Sequence, residues 1–571
     1  MLSRVHIRNF KRLDDVEIEL GDVVVLIGPN NSGKTVALQA LCLWEVGLRR
    51  WVEKRGSGKV PTKRPGVAIN RRDLVSVPIG SAKLLWRDLR VNETRREDGR
   101  QRTNPVLIEV TVEGTDGGRT WSVGFEFYYA NPESFYCRPT EETDASDIEA
   151  AEKTRVAMLP PMSGIAAEET KLEPGAVDVL IGEGQTAQVL RNLCFRLLLE
   201  SADGERWDRL VEDMRRLFGV EILSPTFVEA RGEIRMAYRE RGVELDLSSA
   251  GRGLQQTLLL LASLYGNPRT VLLLDEPDAH LEILRQRQTY NLIAETARQQ
   301  GAQVIAASHS EVILREAAER DVVVAFVGRP HRIDDRGSQV RKALADFGLE
   351  HYYQSELKGW VLYLEGATDL AILQALADKL GHKAADYLSA PFVHYVSNDV
   401  QAALKHFWGM REAMPSLAGV ALFDRLGRDL PSDMPPIRGL QWRKREIENY
   451  ICSEAVLMRF AAADGDDTLL DPQADRQKAM RDAVARVSDA LALEGGEPDP
   501  FGDDVKASDM VLDRLFRAYY QARRLPNRMA KTSYYGLVGF VHREEIAEEV
   551  SEKLDAILEV AEAAETSRRQ P

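Results

Sequence analysis

Gly28-Pro29-Asn30-Asn31-Ser32-Gly33-Lys34-Thr35 has the residue types and spacing of a phosphate-binding loop, G-x-x-x-x-G-K-[ST], and follows an apolar run over residues 23–27. The two glycines let the backbone around Asn30, Asn31 and Gly33 fold into a nest of N–H groups facing phosphate oxygens, with a helix N-terminus behind it. Lys34 is then placed to reach the β- and γ-phosphates and the Thr35 hydroxyl to sit on Mg²⁺. A glycine-rich turn matching by chance is the alternative. The strand before the loop and the helical pattern Val36, Leu38, Leu41 after it are the context the motif needs.

Three later stretches carry related chemistry. Leu247-Ser248-Ser249-Ala250-Gly251 opens a strongly apolar helix, and a Ser-Gly turn there suits Ser249 and Gly251 to a γ-phosphate. A strand over residues 270–274 delivers Asp275 and Glu276, the first suited to hold Mg²⁺ and the second to polarise water. His309 stands at the tip of a strand over residues 303–307, where it reads as a γ-phosphate sensor. In the second half, a strand over residues 361–364 ends in Glu365-Gly366 with Asp369 close behind, and one over residues 420–423 ends in Asp424. Acids at the carboxyl ends of parallel strands converge where such sheets bind ligands, and carboxylates there suit Mg²⁺ and phosphodiester chemistry. Helix caps and solvated loops are the bland alternative.

The elements that position these residues alternate between strand and helix, so the fold class is α/β. At 571 residues the chain needs more than one core. Its 44% hydrophobic and 29% charged residues are those of a globular protein. No apolar run reaches the roughly 18–20 residues of a membrane span, and the N-terminal residues do not read as a signal peptide. Cys42, Cys137, Cys194 and Cys452 form no C-x-x-C pair, which points to a reducing, cytoplasmic setting without structural zinc. The net charge is −14, yet residues 49–102 hold 16 Lys/Arg against 6 Asp/Glu, including Lys63-Arg64 and Arg95-Arg96. Smaller basic clusters lie at Arg443-Lys444-Arg445 and around Arg523, Arg524, Arg528 and Lys531. Such stripes can follow a phosphate backbone, although most charge runs are solvated faces.

Phosphate loop, Ser-Gly helix start, Asp-Glu strand and strand-end histidine, in that order, resemble the ABC-type P-loop ATPase head. That resemblance implies two heads sandwiching two ATPs, Ser249 and Gly251 completing the partner's site, Asp275 on metal, Glu276 as hydrolytic base and His309 as switch. Residues 356–460 resemble a TOPRIM domain, a parallel α/β fold, in the Glu365-Gly366…Asp369 and Asp424 motifs. Trp442-Arg443-Lys444-Arg445-Glu446-Ile447-Glu448 resembles its third acidic segment and Lys531-Thr532-Ser533 its lysine region. Head followed by TOPRIM domain is the layout of the OLD (overcoming lysogenization defect) family of ATP-dependent endonucleases, to which the nuclease subunit of the Gabija anti-phage system belongs.

The resemblance implies an ATPase domain over residues 1–355 with an inserted helical or dimerisation segment near 140–220, and a helical C-terminal part over residues 461–571. It further implies ATP and Mg²⁺, with Mg²⁺ or Mn²⁺ held by Glu365, Asp369, Asp424 and Glu448, and Lys531 neutralising the transition state. The partners it implies are a second or further copies of the chain and nucleic acid, DNA ahead of RNA, with room for a second defence-system protein. There is no clear glutamine loop. Where the family has Asp-x-Asp, this sequence reads Asp424-Arg425-Leu426, and Leu426 cannot bind a metal. Asp429, Glu446 or Glu448 compensates, or the second half is a degenerate domain that holds or releases a partner effector under an ATPase sensor.

Overall fold

The computed structural model describes all residues except 58–63, 98–99, 163–164, 202–203, 319, 334–337, 432–433, 435, 466–471, 496–498 and 570–571. Lys63 of the basic stretch lies outside the described residues, as do the side chains of Arg95, Arg96 and Arg102. The chain forms two compact units, Met1–Arg341 and Lys342–Pro571.

The first unit is built on a sheet in the order Val156–Leu159, Val271–Asp275, Gln303–Ser308, Val23–Ile27 and Val322–Ala325, all parallel, with His331–Arg332 antiparallel at the edge. These strands read as unbroken apolar runs because both faces are covered. Side chains alternate between faces, so Leu273, Ile305 and Ala307 enter one core while Leu272, Leu274, Val304 and Ala306 enter another. The first core is closed by the helix Lys34–Arg55, which buries Leu38, Leu41, Trp44, Leu48 and Trp51 between this sheet and a second one. The second sheet is antiparallel, in the order Leu13–Glu19, Leu2–Phe10, Ile108–Asp116, Arg119–Asn131, Ser134–Pro139 and Val67–Asn70. On the other face, helices Leu190–Glu200, Glu205–Phe218 and Arg252–Gly266 form the second core.

The second unit has four parallel strands in the order Val393–Tyr395, Trp360–Leu364, Ala418–Phe423 and Ile437–Gln441. Trp360, Leu362, Leu364, Val420 and Leu422 share one core with helices Glu454–Ala463, Gln473–Leu493, Asp513–Ala522 and Glu548–Arg569. The C-terminal helices therefore complete the same core as the strands. The break between units falls within the helix Ser338–Lys358. No described helix is long and apolar enough to cross a membrane, and the four cysteines are buried thiols.

Candidate functional site

In the first unit the loop joining Val23–Ile27 to Lys34–Arg55 takes left-handed backbone at Asn31 (φ 61°) and Gly33 (φ 110°). A Cβ at Gly33 would also come within 3.2 Å of Leu13, and one at Gly28 within 2.9 Å of the Phe326 carbonyl, so both positions need glycine. The Lys34 ammonium donates to the carbonyls of Gly28 at 2.7 Å and Pro29 at 2.9 Å. Burial lowers its pKa, against the pull of Glu276, Asp275 and Asp278. Thr35 Oγ1 donates to Asp275 Oδ1 at 2.9 Å, which joins the loop to the end of Val271–Asp275, two strands away in the sheet. Burial raises the Asp275 pKa. A cavity of about 150 Å³ opens beside this pair, lined by Gln39, Pro160 and Gly182 among others. Within the loop itself, Ser32 Oγ is buried without a hydrogen-bond partner. A backbone nest, a buried lysine, a hydroxyl–carboxylate pair and an orphaned hydroxyl fit a nucleotide phosphate with its Mg²⁺.

Glu276 is a non-glycine residue in left-handed backbone (φ 49°), pinned by its N–H to the Ala307 carbonyl at 2.8 Å. Such a conformation costs of order 1 kcal/mol or more and persists where the surroundings enforce it. It leaves the carboxylate partly exposed, 3.8 Å from His309 Nδ1. Two further groups brace this end of the sheet: Ser308 Oγ donates to Asp278 Oδ1 at 2.7 Å and accepts from the Ser310 N–H at 2.9 Å. Ser249 and Gly251 are placed elsewhere. Both are exposed at the start of Arg252–Gly266, and Ser249 Oγ donates to the Asp246 carbonyl at 2.6 Å. Among the described residues neither hydrogen-bonds to the phosphate loop.

The second unit gathers carboxylates at the ends of adjacent strands. Glu365 follows Trp360–Leu364 and Asp424 follows Ala418–Phe423. The amide of Asn398 bridges them: Nδ2 donates to Glu365 Oε2 and, at 3.1 Å, to Asp424 Oδ2, while Oδ1 accepts from the Asp424 N–H at 3.0 Å. Asn398 sits in left-handed backbone (φ 60°), which asparagine tolerates better than most residues. Asp369 accepts from the Gly366 N–H at 3.2 Å at the start of the next helix. Glu446 and Glu448, each 3% exposed, cap and occupy the short 3₁₀ turn Ile447–Tyr450, and Glu446 accepts from the Ser508 N–H.

Burial, reinforced by neighbouring carboxylates, pushes Asp424, Glu448 and Asp369 upward, and burial does the same to Glu446. Burial, then Glu365, raises Asp424 to about 9; burial, then Glu446 and Asp369, raises Glu448 to about 8; burial raises Asp369 to about 6 and Glu446 in the same direction. Lys531 donates to Ser508 Oγ at 3.4 Å and Asp509 Oδ1 at 3.3 Å, and Lys506 to Asp509 Oδ2 at 2.6 Å. Both ammonium groups pull the Glu446 pKa down against its burial. Carboxylate oxygens of this charge suit Mg²⁺ or Mn²⁺ by their chemistry and do not suit a soft metal.

The folded chain holds protons on these acids that an unfolded chain, with carboxylates near pKa 4, has released. The metal-free protein is therefore expected to lose stability as pH rises from about 5 to about 9. An Mg²⁺ ion held by these carboxylates would displace those protons, and it should then raise the melting temperature more at about pH 8.5 than at about pH 6. A thermal melt with and without Mg²⁺ at both pH values checks this.

Sequence reasoning missed Asn398, Ser508, Lys506 and Asp509. Asp429 is exposed and, among the described residues, makes no hydrogen bond to the cluster, whereas Glu446 lies inside it. Leu426 is held through its N–H by Gln441 Oε1 at 3.3 Å. Much of the basic stretch is already paired: Arg50 with Glu53 at 2.9 Å and Asp73 at 2.7 Å, Arg71 with Glu133 at 2.8 Å, Arg87 with Asp14. Lys444 likewise meets Asp503 at 3.1 Å and Arg443 meets Glu552 at 2.6 Å.

Two family models match this chain: "AAA ATPase domain" over residues 1–44 and "AAA domain, putative AbiEii toxin, Type IV TA system" over residues 176–315. An OLD nuclease of Thermus scotoductus is 42% identical over 43 residues, a match that spans 8% of this chain and 8% of that relative's length. Among solved structures, the SMC head domain from Thermotoga maritima is 16% identical with a TM-score of 0.33, covering 58% of this chain and 98% of that one. The Smc head domain with an extended coiled coil from Pyrococcus furiosus, solved bound to the C-terminal domain of ScpA, is 13% identical with a TM-score of 0.34, covering 58% and 96%. Those scores are too low to bear on function or assembly. Both family matches fall in the first unit, on the phosphate loop and on the Ser-Gly helix, Asp-Glu strand and strand-end histidine: the chain carries an ATPase domain of the AAA/ABC class.

Proposed function

We propose that the chain is an ATP-regulated, Mg²⁺-dependent nuclease of the OLD type, acting in prokaryotic anti-phage defence. The observation that carries this reading is the bridging of Glu365 and Asp424 by Asn398 within a buried group that includes Asp369, Glu446 and Glu448. Five acids held together against their own repulsion destabilise a fold unless a cation joins them. A divalent metal there supplies a Lewis acid for a phosphoryl oxygen and lowers the pKa of water. Asn398 fixes the orientation of two of the carboxylates, and Ser508 fixes Glu446. Lys531 and Lys506 set positive charge beside them, suited to the charge that develops on a phosphodiester in the transition state. The brief OLD nuclease similarity agrees with this reading. Metal-dependent scission of plasmid DNA or RNA that disappears in Glu365→Gln is the test.

A second reading is an ATPase sensor whose second unit holds or releases a partner effector. Leu426 favours it, because it stands where a second acid is expected. The burial of Glu446 in the cluster weighs against it, since that carboxylate supplies a further oxygen donor.

Dimerisation belongs to the same proposal. Ser249 and Gly251 are exposed and outside their own chain's phosphate site, so a second copy is what brings such a helix start to the nucleotide. Ile283 and Leu284, 73% and 57% exposed, stand just after the Asp275–Leu281 segment and offer apolar area to that partner. ATP is expected to shift Glu276→Gln from monomer toward dimer in sedimentation, and Ser249→Arg or Ile283→Glu to reverse the shift. A chain that stays monomeric with ATP and hydrolyses it fully contradicts the proposal.

A further inference from the structure

His351, His394 and His406 form the group of three possible metal ligands identified among the described residues, their ligand nitrogens all within 4.8 Å of one another. The three come from different elements: helix Ser338–Lys358, strand Val393–Tyr395 and helix Val400–Ala413. His406 Nε2 lies 2.8 Å from His351 Nδ1, and the His406 and His394 rings stack with centroids 4.0 Å apart. On its other side, His406 Nδ1 lies 2.8 Å from the Tyr363 hydroxyl. Phe347 and Phe392 meet the His406 ring edge to face.

We propose that these three imidazoles form a binding site for a divalent transition-metal ion of the zinc class, separate from the carboxylate cluster. A metal-bound histidine gives its other N–H to an oxygen that fixes its tautomer. Tyr363 supplies that oxygen to Nδ1, which leaves the Nε2 lone pair directed at His351. Zinc–nitrogen bonds of about 2.0–2.1 Å in a tetrahedron hold ligands about 3.3 Å apart. The pair at 2.8 Å must open by about 0.5 Å and the widest pair close by about 1.5 Å, within reach of side-chain rotation. An all-imidazole set selects zinc, copper, nickel or cobalt over Mg²⁺, and a water fits the fourth position. The competing account is three core histidines that satisfy one another. Such a stack needs pairwise contacts only; it does not require ring nitrogens from three elements to gather within 4.8 Å of one another.

The ion has a structural role. The strand and helix that carry His394 and His406 are the two sides of the turn that holds Asn398 (Ser397 φ 46°, Asn398 φ 60°). Joining them fixes the turn that orients Glu365 and Asp424. Ion binding itself does not depend on the nuclease reading.

The test uses the full chain carrying Glu365→Gln and Glu448→Gln, so that the carboxylates do not compete, stripped with a chelator and titrated with Zn²⁺ or Co²⁺. One equivalent of zinc is expected to remain bound after gel filtration, and Co²⁺ to develop the intense visible bands of tetrahedral coordination. His394→Ala and His351→Ala should remove the bands, and Tyr363→Phe should weaken zinc about 10–100-fold. Absence of stoichiometric zinc and of cobalt bands overturns the proposal without reference to any histidine variant's folding. So does uptake unchanged in both histidine variants.

Discussion

Glu276→Gln is expected to bind ATP as the unmutated chain does and to hydrolyse it about 10²–10⁴-fold more slowly, the usual contribution of a general base. The carboxylate stands one residue beyond Asp275, which Thr35 ties to the phosphate loop, and its strained backbone turns it out toward His309 at 3.8 Å. Glutamine keeps the size and the hydrogen-bonding reach of that side chain and loses only the capacity to take a proton. Lys34→Ala acts differently. It removes a cation that the loop carbonyls of Gly28 and Pro29 hold in place, so nucleotide binding itself should fall. A fluorescent nucleotide titration and a phosphate-release assay separate the two. Equal hydrolysis in the unmutated chain and Glu276→Gln would mean that another group takes the proton.

Glu365→Gln is expected to abolish nucleic-acid cleavage and to leave ATP hydrolysis within a few-fold of the unmutated chain. The two chemistries rest on different sheets with different hydrophobic cores. A neutral amide at residue 365 removes one negative donor and gives Asn398 Nδ2 a weaker acceptor, so both metal affinity and the orientation of Asp424 suffer. Glu448→Gln and Asp424→Asn should behave alike. Lys531→Ala should lose about 10²–10³ in rate, the typical cost of one electrostatic contact to a developing charge. Steady-state ATPase and gel-based cleavage on the same preparations provide the comparison. Loss of both activities together in Glu365→Gln would show that the two units do not act separately.

What the sequence made legible follows from how local each signal is. The phosphate loop, the Asp275-Glu276 strand end and the strand-end histidine are contiguous motifs, and Thr35 and Asp275 meet at 2.9 Å although 240 residues separate them. The parallel order of their strands follows from unbroken apolar runs such as Val-Leu-Leu-Leu at 271–274, which demand cover on both faces. Asn398 was not legible, because a single polar residue in a turn has no periodicity and acquires meaning only when two distant strands bring carboxylates to it. The same holds for Ser508 and Lys506, which reach Glu446 across about 60 residues. In the basic stretch a linear count overstates the free charge, because Arg71 and Arg87 pair with Glu133 and Asp14, which lie outside it. The His351, His394 and His406 group has no spacing signature, since its members come from three elements.

The proposed cutting of phosphodiester bonds by the carboxylate cluster is open to direct measurement. It is tested most directly by incubating the purified chain with supercoiled DNA, linear DNA and RNA, with Mg²⁺ or Mn²⁺, with and without ATP. Scission of at least one substrate that requires the divalent metal, and that vanishes in Glu365→Gln and Glu448→Gln while persisting in Glu276→Gln or changing only in its ATP dependence, is the predicted result. No scission of any substrate under any of these conditions, or scission equally strong in the Glu365→Gln, Asp424→Asn and Glu448→Gln chains, contradicts it.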